Sequence, residues 1–399
     1  MPRSSDIAFA ACLLLGGILA FATSTPLAGP EGSFDSLGQE ITRIVRANFY
    51  DAKTGEAWAV SHEHYGSRVA SRSEFIIKTR EALAQLKASH TGYYTPVDPR
   101  YFGLLSIFGE ALGVRSAQVD SIGADFTDEG FTRVVFPGGP AEKAGLRRGD
   151  QILKADGKPF EPVLSFKDRA GRPVVLSVQR TADTLPVEIR VTPRKIDPGQ
   201  EWLEAQVAGS TLIERGGATV AYVPLFSCAG ERYMEALHDA IGGKLQKASA
   251  LVLDFRDGWG GCNPEFVNIF NKTVPALTSI GRDGKAQLLD PQWRGALYLL
   301  INGGTRSGKE VVSYALQESR RAVLVGERSA GAVLGGKCFL LSDRSLLYLA
   351  VADFRVDGER LEGVGVAPDV RVPDVLPYAG GSDPQRDKAL DLAAKSPAR

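Results

Sequence analysis

A chain of 399 residues exceeds what one core of ordinary size holds, so two or three packed units are expected. Its 44% hydrophobic and 24% charged residues are the proportions of a soluble globular protein, which excludes extended disorder away from the ends. Lysine plus arginine (47) balance aspartate plus glutamate (47), so no net positive field draws the chain to nucleic acid.

At the N-terminus, Arg3 precedes the uncharged apolar run Ile7–Phe21, which is followed by small residues and prolines. This is the layout of a secretory signal peptide over residues 1–28, with cleavage expected between Ala22 and Ala28. An uncleaved membrane anchor is the alternative, because the run borders on the length that crosses a bilayer. Either way the expectation is an exported protein, periplasmic or extracellular. Cys12 falls inside the apolar run, and the mature chain keeps Cys228, Cys262 and Cys338. An odd, sparse set of this kind permits at most one bridge. No spacing suits zinc, and His62 and His64 lack neighbouring thiols or further imidazoles, so neither a metal nor another cofactor is expected.

Residues 34–105 read as an N-terminal helical region. Leu37, Ile41, Ile44, Val45 and Phe49 recur at helical spacing, with Asp35 or Ser36 as the N-cap. A second helix is predicted over Ser73–Ala88. The stretch Ser89-His-Thr-Gly-Tyr-Tyr-Thr-Pro96 then reads as a loop that presents His90. His62, His64 and His238 sit in a charged patch or on a helical face and are assigned no role.

Residues 109–195 read as short strands and turns, with strands over Thr132–Phe136, Val174–Val178 and Val187–Val191. Among them lies GGPAEKAGLRRGDQILKADGKPF, starting at Gly138. This run resembles the second half of a PDZ domain, with a short helix over Ala141–Ala144 and Gly149-Asp150 turning into the next strand. PDZ domains add an extended peptide to a sheet edge and hold its terminal carboxylate on backbone N–H groups. The resemblance therefore implies peptide binding at Ile122, Gly123 and Ala124, with a substrate held by its C-terminus.

Over 205–375 apolar strands alternate with helices: Val220–Phe226, Ala250–Arg256, Ala296–Ile301 and Ala322–Gly326. That alternation predicts an α/β core with parallel pairing, whose site forms where loops leave the carboxyl ends of strands. Ser307, in LINGGTRSGKE, and the turn containing Gly260 and Gly261, in LVLDFRDGWGG, both occupy such positions. Residues 376–399 read as a C-terminal tail.

LVLDFRDGWGG, LINGGTRSGKE, AVLVGERSAG and LEGVGVAPDV, in this order after a PDZ domain, resemble the carboxyl-terminal processing, or tail-specific, proteases and the related tricorn-type peptidases. The resemblance covers essentially the whole mature chain. It implies a ClpP/crotonase-like α/β core with an N-terminal helical region and an inserted, β-rich PDZ domain. It also implies Ser307 as nucleophile, with the N–H groups of Gly308 and of Gly260 or Gly261 binding the developing oxyanion. Tail-specific proteases usually pair the serine with a lysine, but the matching position here is Ala332, whose methyl accepts no proton. Lys309 is expected on a solvated helix face, and Lys337 lies five residues past the matching site. The tricorn-type branch instead uses a serine-histidine pair and a distant glutamate, which Ser89, His90 and Glu362 match. Glu359 neighbours Glu362 but sits in a predicted hairpin turn.

The expected activity is that of a serine-type endopeptidase acting on protein or peptide substrates through a Ser307/His90/Ser89/Glu362 tetrad. Two other readings stay open: a catalytically inactive peptide- or lipophile-binding module on the same fold, and a Ser/Lys dyad using a displaced lysine. Association into homo-oligomers is also open.

Overall fold

The computed structural model describes residues 34–290 and 292–397. The proposed signal segment lies outside the described residues. Among those described, no helix is long and apolar enough to cross a membrane.

Four helices open the described chain: α1 (Phe34–Asn48), α2 (Ala52–Ser61), α3 (Arg72–Ala84) and α4 (Pro99–Phe108). The apolar stripe of α1 behaves as its spacing predicts, with Leu37, Ile41 and Val45 buried. Asp35 lies within its first turn rather than before it. Helix α3 is capped by Ser71, whose side chain accepts from Glu74 N–H, and it stops four residues short of Ala88. Lys87, at φ 49°, follows the stop. The loop that carries His90 then enters a strand, Gly92–Tyr94, that local sequence does not signal. It forms because Leu346–Ala352 offers it an antiparallel partner, and Gly335–Leu340 completes the three-stranded sheet. Leu347, Leu349 and Ala350 of that sheet bury against α1 and α3, which fixes the His90 loop to the core.

The central β-rich unit contains strands at 119–121, 124–126, 132–135, 151–155, 174–179 and 187–191, with α5 (Pro140–Lys143) packed on them. Ile122, Ala141, Leu146, Ile152, Phe166 and Leu176 form its own core. Asp150 is buried at the turn before Gln151–Ala155, where its carboxylate accepts from Arg147 N–H at 2.9 Å.

Helix α6 (Pro198–Gly209), capped by Asp197, leads into a six-stranded sheet. The strand order is Thr211–Arg215, Ala218–Pro224, Ala250–Asp254, Ala296–Ile301, Val323–Gly326 and Val370–Arg371. The first pair is antiparallel and the rest are parallel. Ala250–Asp254 is buried throughout, and its alternation divides two cores. Leu251 and Leu253 face the cluster that contains Leu237 and Ile241 of α7 (Glu231–Gly242) and Val312 and Leu316 of α8 (Gly308–Glu318). Ala250 and Val252 face α9 (Pro384–Ala394). The segment read as a tail thus supplies a layer of the core, with Ala389, Leu390 and Ala393 buried.

Arg256 clamps α9 in place. It binds Asp254 at 2.6 Å and Asp383, the α9 N-cap, at 2.7 Å. Tyr222 Oη also donates to Asp254 at 2.7 Å. Burial pushes the Asp383 carboxyl up, but hydrogen bonds and charge from Arg256 outweigh it and hold the group down to about 2. The stability this contributes is complete above the ordinary value of 3.8 and is lost as pH falls toward about 2. Arg256→Ala leaves two carboxylates buried without their cation. The expected cost is about 3–5 kcal/mol, read as a lower urea midpoint with an unchanged slope; an unshifted midpoint refutes the clamp.

Candidate active site

Ser307 stands where the Ala296–Ile301 strand hands over to α8, as the N-cap residue at φ 56° and ψ −132°. An L residue occupies that region only when its surroundings impose it. Two acceptors hold the Ser307 N–H: Ala332 O at 2.8 Å and Glu310 Oε2 at 3.2 Å. Glu310 is fully buried; its Oε1 accepts from Ser329 Oγ (2.6 Å) and Gly331 N–H (2.7 Å), and its Oε2 from Ala332 N–H (2.8 Å). Burial pushes this carboxyl up, and those hydrogen bonds oppose the shift. The sequence reading missed Glu310. Its signal was the Ser-x-x-Glu spacing of Ser307 and Glu310 at a helix start.

Gly260 lies directly against the serine. A methyl group on its α-carbon would sit 2.5 Å from Ser307 Cβ and 3.1 Å from Gly308 N. Gly308 N–H, at the first position of α8, has no intrahelical acceptor. Gly260 and Gly308 therefore present adjacent backbone beside the Ser307 side chain. Gly261, at φ 93°, packs instead on Ala229, so of the two glycines Gly260 is the one beside the serine.

The Gly260 turn is tied down by a disulfide between Cys228 and Cys262, 34 residues apart, while Cys338 is free and buried. Cys228 N–H also donates to Gly260 O at 3.0 Å, and Cys262 backbone abuts Gly308. Closing a loop of that length contributes about 3–4 kcal/mol in the chain-entropy account. Cys228→Ser with Cys262→Ser is expected to lower the melting temperature by several degrees and to reduce kcat more than it raises KM. Unchanged kcat in the folded double variant counts against a role in holding the turn.

His90, at φ 55°, is buried in the loop between α3 and the Gly92–Tyr94 strand. Its Nδ1 pairs with Ser89 Oγ at 2.9 Å. Ser89 Oγ donates to Glu362 Oε2 at 2.8 Å, and Ser89 N–H to Oε1 at 3.0 Å. Glu362 Oε2 also accepts from Val333 N–H (2.7 Å) and Leu334 N–H (3.2 Å). A hydroxyl has one proton, and Ser89 gives it to the carboxylate. Ser89 therefore accepts from His90, which places the imidazole proton on Nδ1 and leaves Nε2 with a lone pair. Among the described residues no hydrogen bond joins His90 to Ser307. What links them is the segment 329–334: Ala332 O holds the serine, while Val333 N–H, one residue on, holds the glutamate that orients the histidine. Tyr348 packs on the imidazole with ring centroids 5.5 Å apart. Burial, reinforced by the charge of Arg306 and opposed by Glu362, lowers the His90 pKa to about 4.

One of the two nearby lysines departs from expectation. Lys309 is not on a solvated face but fully buried, donating to Leu225 O (2.6 Å) and Asp257 O (2.9 Å). Both carbonyls end or follow core strands, and burial lowers its pKa to about 8, against the pull of Asp254 and Asp257. Its Nζ is thus committed to structure. Lys337 is exposed on its strand and stacks over Phe339 at 5.3 Å.

A cavity of about 1180 Å³ joins the β-rich unit to this site; Ile122, Ala124, Phe126, Trp259, Gly304 and Arg306 line it. Gly123 is placed less freely than a peptide-capturing glycine, because its N–H is bonded to Ser121 Oγ at 3.0 Å. Its carbonyl accepts from Phe136 N–H.

Residues 219–372 match Peptidase family S41, and residues 131–180 match the PDZ domain family. The chain is 28% identical over 402 residues to a carboxyl-terminal-processing protease of Synechocystis sp., covering 95% of this chain and 91% of that one. It is 29% identical over 374 residues to a chloroplastic C-terminal processing peptidase of Tetradesmus obliquus, covering 85% and 77%. Among solved structures, a photosystem II D1 C-terminal processing protease superposes with a TM-score of 0.52 at 25% identity, covering 88% of this chain and 98% of that one. The tricorn protease superposes at 0.56 and 17% identity, covering 91% and 36%, which is a likeness of fold.

Proposed function

We propose, for a chain that belongs to peptidase family S41 and carries a PDZ domain, that it is an exported serine endopeptidase which cleaves proteins or peptides near their C-termini. Ser307 attacks the scissile carbonyl while His90 Nε2 takes its proton. The imidazolium then returns that proton to the leaving amine, and water releases the acyl group from Ser307 by the reverse sequence. Ser89 and Glu362 hold the Nδ1–H tautomer and offset the imidazolium charge. The N–H groups of Gly308 and Gly260 receive the oxyanion. The PDZ unit, through Ile122 and Ala124 along the shared cavity, guides the chain to the serine.

One observation carries this reading: the bond series from His90 through Ser89 to Glu362, joined to Ser307 by the 329–334 segment. The C-terminal preference rests on the names of the relatives, several of them carboxyl-terminal-processing proteases. Export is supported by the signal-like N-terminus and by the Cys228–Cys262 disulfide, which persists in oxidising compartments. A fluorophosphonate probe tests the assignment. Labelling of the folded protein at Ser307 is expected, with none in Ser307→Ala and far slower labelling in His90→Ala; an unlabelled Ser307 favours the inactive binding module.

A further inference from the structure

Lys309 is fully buried at the second position of α8, and no step of the proposed chemistry uses it. A cation there opposes the positive end of the helix dipole. The carboxylates that act on it from a distance, Asp254 and Asp257, are spent on Tyr222 and Arg256 and on Asn302. Among the described residues its Nζ bonds to two main-chain carbonyls alone, Leu225 O at 2.6 Å and Asp257 O at 2.9 Å. Apolar replacement of buried ionic groups is often neutral for stability, so stability alone does not account for this lysine. What the two carbonyls share is their place. Leu225 follows the Ala218–Pro224 strand, and Asp257 lies three residues past Ala250–Asp254, at the base of the Gly260 turn. Beyond them the two loops bond to each other: Trp259 N–H donates to Phe226 O at 2.8 Å and Cys228 N–H to Gly260 O at 3.0 Å. Asp257 stands at φ 52°, a region an L residue adopts only when its surroundings impose it. The serine-bearing segment holds it twice. Asn302 Oδ1 accepts from its N–H at 3.1 Å, and Lys309 donates to its carbonyl. Lys309 thus joins the helix end that carries Ser307 and Gly308 to the base of the turn that carries Gly260.

We propose that Lys309 is a positioning residue, which sets the Gly260 turn against the N-terminus of α8 so that the two oxyanion N–H groups converge beside Ser307. This rests on the endopeptidase reading and adds a residue to it. Lys309→Met tests it, because methionine keeps the unbranched stem and removes the donor. Its kcat is expected to fall about 10- to 100-fold, less than outright loss of an oxyanion donor, with KM within a few-fold. Affinity for a peptide boronic acid, whose tetrahedral adduct places an oxygen in the oxyanion site, falls by the same factor as kcat/KM, while affinity for the cleaved product peptide holds. Amide hydrogen exchange quickens over 225–230 and 257–262 and is unchanged in the β-rich unit. Unchanged kcat in the folded variant, an equal loss of product affinity, or unaltered exchange in both loops overturns the placement. So does a fall as deep as that of Ser307→Ala, which puts the lysine in the proton path instead. If Lys309→Met does not fold, Lys309→Gln, which keeps an amide donor, is read in the same way; failure of both to fold makes Lys309 a residue of the core and overturns the proposal. The parent protein separates the two readings. Where it cleaves peptides and Ser307 takes the fluorophosphonate label, a variant with full kcat sinks the placement alone, whereas a parent that neither labels nor cleaves sinks the endopeptidase reading with it.

Discussion

His90→Ala is expected to lower kcat by about 10⁶, and Ser307→Ala by a similar amount, with the double variant little worse than either. The non-additivity is the informative part. In the proposed mechanism nucleophile and base act as one unit, so removing either ends the same pathway. The pH profile gives an independent reading of the same group. A base works only when neutral, and burial together with the Arg306 charge lowers His90 to about 4, while Glu362 pulls the other way. The acid limb of kcat/KM, which reports the free enzyme, is therefore expected near pH 4 rather than at the ordinary 6.5. Activity rises as pH rises through that value, because deprotonation frees Nε2. A limb at 6.5 or above indicates an imidazole far better solvated than His90 is here.

The strand-rich core was legible because its strands are buried on both faces. Ala250–Asp254 and Ala296–Ile301 read as apolar runs, and the glycine turns after them place loops at the carboxyl ends. Elements that depend on distant partners were not legible. Gly92–Tyr94 is a strand only because Leu346–Ala352 pairs with it. Helix α9 has a weak apolar pattern of its own and is held by Arg256 on its Asp383 cap and by the sheet beneath it. The site divides along the same line. The positions of Ser307 and of the Gly260 turn follow from local strand-turn-helix sequence, whereas their roles, and those of Gly308, Ser89, His90 and Glu362, came from family likeness. Their bonding to one another was hidden, because 273 residues separate Ser89 from Glu362. Lys309 was misread for a related reason: a lysine two residues into a helix is usually solvated, and what holds this one inside is a pair of carbonyls just past the ends of two core strands. Glu310 carried a local signal, but its main work is on the 329–332 backbone, which sequence spacing does not reveal.

Glu362→Gln is expected to lower kcat by about 10³ to 10⁴ while leaving KM within a few-fold, since its carboxylate is buried against Ser89 and the Val333–Leu334 backbone. The geometry forces this through proton placement. Both carboxylate oxygens only accept: Oε1 from Ser89 N–H, and Oε2 from Ser89 Oγ, Val333 N–H and Leu334 N–H. An amide must put its NH₂ on one side. At the Oε1 position it meets the Ser89 N–H donor to donor, and the Ser89–His90 turn shifts. At the Oε2 position it opposes two backbone donors and gives a proton to Ser89 Oγ. Ser89 then donates to His90 Nδ1, the ring proton moves to Nε2, and the lone pair needed to deprotonate Ser307 is gone. Either placement disables the base without removing it. Glu362→Asp keeps the charge but shortens the reach, so it is expected to retain more activity than the isosteric amide. If the glutamine variant instead works as well as the parent, Ser89 and Glu362 do not set the tautomer, and His90 must be oriented by Tyr348 packing and burial alone.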